Sequence, residues 1–232
     1  MKNVKKYFLM AVVICLQTIF IGCNEQEQTG LSVVSGGAVL LFDGTDFSHW
    51  TDLKGAPVRW KIIDDAMEVV PGKGSIITKQ NFQDFKLHLE FSVPETPAGT
   101  KHQGRSNSGV YIQRRYEVQI LDSYGLKSAN NDCGAIYKIK APDSNVCKKP
   151  GRWQSYDITF HAPRFEKQGK DFKKVKNARI TVLHNAVLIH NNIEIPNKTG
   201  AGRPEGPKPG PILLQDHGNK VRFRNISIIP LN

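Results

Sequence analysis

Two short stretches of this chain place polar groups at alternate positions. In Tyr116-Glu117-Val118-Gln119-Ile120-Leu121-Asp122, an extended strand sends Val118 and Ile120 one way and Glu117 and Gln119 the other. In Ile212-Leu213-Leu214-Gln215-Asp216-His217, Ile212 and Leu214 take one face and Gln215 and His217 the opposite one, with Asp216 at the strand end. A carboxyl, an imidazole and paired amides suit a hydroxyl-rich ligand such as a sugar, and the first two also suit proton transfer. The loop Arg105-Ser106-Asn107-Ser108-Gly109 is small and polar and leads toward the same face. Trp50, Trp60 and Trp153 could stack on sugar rings, although core burial is the commoner fate of tryptophan. For any one strand, a simply solvated polar face is the plain alternative.

Other chemistries lack their residues. There is no P-loop, no GxGxxG after a strand, no HExxH, no GxSxG elbow and no EF-hand loop. The seven histidines include no His-x-His or His-x3-His pair, so no metal ligands are named. His184 and His190 flank a hairpin signal and are expected at the surface.

The elements that must position these groups follow a period of two. In Phe85–Ser92, Phe85, Leu87, Leu89 and Phe91 share one face, and Lys86, His88 and Glu90 the other. Similar runs occupy Val39–Phe42, Trp60–Ile63, Met67–Val70, Gly109–Gln113, Glu117–Leu121, Ser155–His161, Ala178–Leu183, Val187–His190, Ile212–Gln215 and Val221–Ile229. Val221–Ile229 breaks alternation at Arg224-Asn225, which predicts a bulge. Turn pairs such as Asp64-Asp65 and Pro150-Gly151 separate the runs. No helical period of useful length appears. The pattern predicts an all-β sandwich of two antiparallel sheets, with long polar loops at 94–107, 164–177 and 197–211.

The 232 residues, 39% hydrophobic and 23% charged, have ordinary globular composition. Three of the 32 basic residues (Lys2, Lys5 and Lys6) precede residue 23; without them 29 oppose 21 acids, a net charge near +8. The basic residues are scattered, and no nucleic-acid partner is expected. Residues 1–22 have a basic start and a short apolar stretch, and Phe20-Ile21-Gly22-Cys23 resembles a lipobox. The expectation is a lipoprotein signal peptide over 1–22, lipid on Cys23, a flexible tether over 23–36 and one domain over 37–232. The protein would then be held by its lipid to a bacterial membrane, in the periplasm or at the cell surface. Cys133 and Cys147 remain as an even pair. Export predicts a disulfide between them, worth roughly 3 kcal/mol by loop closure, and with no His or further Cys beside them at zinc spacing no metal site is expected there.

Several motifs together resemble the 3-keto-disaccharide hydrolase domain family, also described as 3-keto-glucoside 1,2-lyases and 3-keto-2-hydroxy-glucal hydratases. They are Leu41-Phe42-Asp43-Gly44 with Trp50, Asn107-Ser108-Gly109-Val110-Tyr111, Tyr116–Asp122, Cys133-Gly134-Ala135-Ile136-Tyr137, Pro150-Gly151 with Trp153, Leu214–Gly218 and Phe223-Arg224-Asn225-Ile226. The resemblance covers about residues 38–231 and implies a concanavalin A-like jelly roll acting on a small saccharide. Asn185-Ala186 departs from the Asn-Gly common in the family, which predicts another turn type there. A conventional glycosidase would need two carboxylates, such as Glu117 with Asp216 or Asp122. A 3-keto sugar needs instead a base for the C2 proton and an electrophile for the enolate. Glu117 or His217 would be the base. Arg224 or a bound divalent metal would be the electrophile. Asn107, Gln119, Tyr137, Gln215 and Asp216 would hold substrate. A lectin-like domain or an interaction domain of an uptake complex would use the same face without a base.

Overall fold

The structure, a computed structural model, describes residues 33–34 and 37–231. The expectations for Cys23, for the signal peptide and for most of the tether lie outside the described residues. In chain order the strands are β1 (Val33–Val34), β2 (Ala38–Phe42), β3 (Trp50–Asp52), β4 (Lys61–Ile63), β5 (Ala66–Glu68), β6 (Ile76–Thr78), β7 (Asp84–Ser92) and β8 (Asn107–Ile112). There follow β9 (Tyr116–Leu121), β10 (Gln154–His161), β11 (Arg164–Gln168), β12 (Asp171–Lys176), β13 (Ala178–His184), β14 (Val187–Ile195), β15 (Leu213–Leu214) and β16 (Arg222–Leu231). The described residues contain no α-helix, only a three-residue 3-10 turn at His102–Gly104.

A nine-stranded sheet runs β1-β2-β16-β7-β10-β13-β14, with β5 also paired to β16 and β4 to β5. A five-stranded sheet runs β3-β6-β15-β8-β9, and every pairing is antiparallel. The chain is an all-β, jelly-roll sandwich. The period-two residues of β7 explain the layer: Phe85, Leu87, Leu89 and Phe91 are buried and sit across from Phe160, Ile158, Tyr156 and Gln154 of β10. Tyr116 of β9 meets Phe160 at 5.5 Å between ring centroids, which joins the two sheets. Each fully buried side chain of this kind contributes ~1.5–3 kcal/mol.

Three features depart from the sequence expectation. Residues 164–177, expected as a loop, form the β11–β12 hairpin. Its residues are mostly exposed on both faces, so no apolar alternation marks it. His184 and His190, expected at the surface, are 1% and 0% exposed. His184 continues the Ala178, Ile180, Val182 parity of β13 and lies in the core against Tyr156 and Phe91.

The third concerns Asn185-Ala186. His184 pairs with Val187, so the loop has two residues, with φ of 51° and 64°. Both are left-handed, as a type I′ turn requires, and the different turn type expected from the alanine is not adopted. Alanine in that conformation costs ~1–2 kcal/mol. Ala186→Gly is therefore expected to raise stability by about 1 kcal/mol and the melting temperature by about 2–4 °C, read by thermal unfolding.

Candidate active site

The face of the five-stranded sheet turned away from the core carries the polar residues. Val110, Val118 and Ile120 face inward, so their neighbours Asn107, Gly109, Tyr111, Glu117 and Gln119 face outward. Tyr111 stands opposite Glu117, and Gly109 opposite Gln119. The main-chain groups of Glu117 and Gln119 point to the sheet edge. The Glu117 N–H donates to Thr199 Oγ1 (2.7 Å), and its carbonyl accepts from the Tyr137 N–H (3.1 Å). Gln119 is paired with Ala135 and Gly134 in the same way. The strap Cys133–Tyr137 and the loop around Thr199 thus close the edge of β9 and its hydrogen-bonding groups. Cross-strand pairs whose hydrogen bonds point outward bring their side chains close, which sets the Tyr111 ring beside Glu117.

Glu117 is 3% exposed, and its Oε2 accepts a 2.7 Å hydrogen bond from the Tyr111 hydroxyl. Burial pushes its carboxyl up to about 7, and the Tyr111 hydrogen bond offsets this only in part. Burial and the Glu117 charge raise Tyr111, which keeps its proton. Near neutrality Glu117 is populated in both forms, the condition for a general base or acid. Two glycines make the space around it. A Cβ on Gly109 would lie 2.5 Å from Glu117 Oε1, and one on Gly200 would lie 3.3 Å from Oε2 and 3.1 Å from the Tyr137 ring.

Beside the carboxyl is a chain of amides. Gln119 Nε2 donates to Asn107 Oδ1 and to Gln103 Oε1, both at 3.1 Å, while Asn107 Nδ2 donates to the Gln103 carbonyl and Oε1. Gln215 continues the β15 register, its N–H donating to the Gly109 carbonyl at 3.0 Å. Gln119 and Gln215 therefore flank the gap left by Gly109. The Oε1 atoms of both are buried and have no donor. Orphaned acceptors of this kind suit ligand hydroxyls.

The other expected residues make no contact with Glu117 among the hydrogen bonds of the described residues. His217 is exposed, with no hydrogen bond to Glu117 among those of the described residues. Asp216 is committed to a turn: its two carboxylate oxygens accept from the Gly74 and Gly218 N–H groups. Asp122 is held by Arg105 at 2.8 Å. Arg224 is misplaced for an enolate. It belongs to β16 of the other sheet, and its predicted bulge is present, with Asn225 at φ 50° and a register shift against β7. Arg224 binds Glu90 Oε2 at 2.7 Å and lies 4.1 Å from the Trp153 ring, on the outward face of the nine-stranded sheet. Both sheets separate it from Glu117. Trp50 and Trp60 are core residues, as the commoner alternative has it.

Cys133 and Cys147 are free thiols in this structure, so the expected disulfide is not formed. Their sulfurs lie close together, but Cys133 Sγ is engaged with the Tyr156 hydroxyl at 3.2 Å. Among the described residues, the one group of three or more metal-type donors is Cys133, Cys147 and His184. It lies on the core side of β9, so a divalent metal for the enolate has no such donor group at Glu117.

Sequence reasoning assigns no site role to Tyr111, although it lies in the Asn107–Tyr111 motif, nor to Gln103 or Thr199. The parity of Gly109–Gln113 puts Tyr111 on the Gly109 face, so it was within reach. Gln103 and Thr199 lie in loops, where spacing carries no such signal.

A jelly roll with one buried acid set among amides and hydroxyls is a carbohydrate-type cleft. Residues 37–229 match the model of the 3-keto-alpha-glucoside-1,2-lyase-like domain, and the chain belongs to that family. It is 24% identical over 256 residues to a 3-keto-disaccharide hydrolase of Bacteroides thetaiotaomicron, covering 88% of this chain and 82% of the relative. A crystal structure from Parabacteroides distasonis, of a protein provisionally named a glycosyl hydrolase, is 39% identical with a TM-score of 0.77 and 84% of each chain covered. A second Parabacteroides distasonis structure, with the same provisional name, is 20% identical with a TM-score of 0.63, covering 84% of this chain and 94% of that one, and shows the shared fold.

Proposed function

We propose that the protein cleaves the glycosidic bond of 3-keto-glucosides or 3-keto-disaccharides, with Glu117 as the base. The observation that carries this reading is a single buried carboxyl brought to about 7 beside unpartnered amide oxygens. A keto group at C3 acidifies the C2 proton. Glu117 takes that proton, an enediolate forms, and the C1–O bond breaks with its electron pair leaving on the aglycone oxygen. The aglycone oxygen takes the proton back from Glu117, and water adding across the C1–C2 double bond, its hydroxyl to C1 and a proton to C2, makes the net reaction a hydrolysis. The Tyr137 ring lies beside the carboxyl and its hydroxyl is the donor for the developing oxyanion, while the Tyr111 hydroxyl stays bonded to Glu117. Gln119 and Gln215 accept substrate hydroxyls, and Asn107 and Gln103 hold Gln119 in place. A two-carboxylate glycosidase is less favoured, because Asp216 and Asp122 are already bound to backbone amides and to Arg105. Export and a lipid anchor on Cys23 belong to the same reading and rest on the lipobox-like sequence.

The test compares matched glucosides with and without the 3-keto group across pH. Release is expected only from the keto sugar. Its rate should rise with pH and level off above about 7, because the base must be ionised. Equal release from the unoxidised glucoside would indicate a conventional glycosidase, and binding without release a lectin.

A further inference from the structure

Cys133, Cys147 and His184 take no part in the chemistry above, yet their donor atoms all lie within 4.8 Å of one another. Cys133 and His184 are 2% and 1% exposed, and Cys147 is half-buried. Three separate segments supply them: the strap beside β9, the loop before β10, and the end of β13.

The hydrogen bonds fix which histidine nitrogen is free. The Lys148 N–H donates to Gln154 Oε1 at 3.0 Å, so that end of the amide must be the oxygen. The same oxygen is 2.9 Å from His184 Nε2, which must then carry the ring proton of the neutral imidazole. Nδ1 is left with its lone pair, and a Cβ on Gly134, the neighbour of Cys133, would lie 3.8 Å from it. A histidine that donates its far N–H to a carbonyl oxygen while offering the near nitrogen is the usual arrangement of a metal ligand.

We propose that Cys133 Sγ, Cys147 Sγ and His184 Nδ1 bind a zinc ion. Zinc ligands at ~2.3 Å for sulfur and ~2.0 Å for nitrogen form a tetrahedron, so the three donors close in on the ion by small side-chain rotations. Binding displaces two thiol protons. The two thiolates then balance the dication, leaving a neutral unit in a buried place, whereas a cuprous ion would leave a net negative charge. Two sulfurs and an imidazole also disfavour calcium and magnesium, which want oxygen. The three protein donors leave a fourth position of the tetrahedron for a water molecule. The site stands apart from Glu117, and its role is to pin the strap. Cys133 begins the segment whose Gly134 and Tyr137 N–H groups bond Gln119 and Glu117, so the ion fixes the strap that carries Tyr137.

The experiment weighs the full chain and measures its zinc as purified without reductant, then reduces it, strips it with chelator and titrates it with zinc alone. One zinc per chain is expected, with both thiols shielded from a thiol reagent until zinc is removed. Cobalt in its place should give thiolate-to-cobalt charge-transfer absorption, which Cys147→Ser, at a half-buried position, removes. Gln154→Met should weaken zinc affinity by ~10–100-fold, through the freed imidazole, with the thiols unchanged. A chain lighter by two hydrogens and without zinc would show a disulfide and overturn the proposal. Reactive free thiols that take up no zinc would overturn it equally. None of these readouts depends on the sugar reaction.

Discussion

Glu117→Gln is expected to lower turnover of a 3-keto-glucoside by ~10²–10⁴-fold, the usual contribution of a general base. The amide keeps an oxygen for the Tyr111 hydroxyl, so the cleft should stay intact and KM should change little. The same substitution should stabilise the fold at alkaline pH. The folded-state value of about 7 lies above the 4.5 of a free glutamate, so between those values the folded state holds a proton that the unfolded state releases. Stability therefore falls as pH rises through this window, and the loss is complete above it. At pH 8 the variant should gain about 3 kcal/mol over the native chain. At pH 4 the two should be equal. Denaturant unfolding at both pH values reads this directly. A carboxyl that costs stability and is kept ready for proton transfer is the pattern of a functional group, not of a solvated face.

Gly109→Ala should come close to the same loss of activity without touching the acid. The new methyl would lie 2.5 Å from Glu117 Oε1, with the carboxyl carbon at 3.2 Å. β8 is held between β9 and β15, so its backbone cannot retreat. The carboxyl must swing aside, which breaks its bond with Tyr111 and fills the gap between Gln119 and Gln215. A displacement of about 1 Å in such a site costs on the order of 10²-fold in rate. Stability should fall by only ~1–3 kcal/mol, the cost of the broken Tyr111 bond, because Gly109 is not in the left-handed region and the backbone is unstrained. Circular dichroism and thermal melting separate a misplaced acid from a misfolded protein.

Much of the architecture was legible from alternation alone. β7, β10 and β13 bury every second side chain, and that periodicity is what the sequence displays, whereas β9 is buried on both faces and only its residue types alternate. β3 and β6 have three residues each, too few to show a period. β11 and β12 face water on both sides and show none. Within the site, parity placed Glu117 and Gln119 together because they share a strand. It could not say which sheet each strand joins. Arg224 was therefore assigned to a cleft from which both sheets separate it, where it serves Glu90 and Trp153 instead. Asp216 was likewise given a substrate role, whereas both of its oxygens accept from turn N–H groups, at Gly74 and Gly218. Cysteine count pointed to a bond, while the third partner, His184, is 37 positions beyond Cys147 and becomes visible only when β13 is placed.

The proposed chemistry turns on Glu117 removing the C2 proton of a keto sugar. The most direct measurement incubates the protein in deuterium oxide with a 3-keto-glucoside and follows C2 by proton NMR and mass spectrometry. Solvent deuterium is expected at C2 of recovered substrate or product, and is lost in Glu117→Gln. Cleavage that leaves the original C2 hydrogen in place would contradict it.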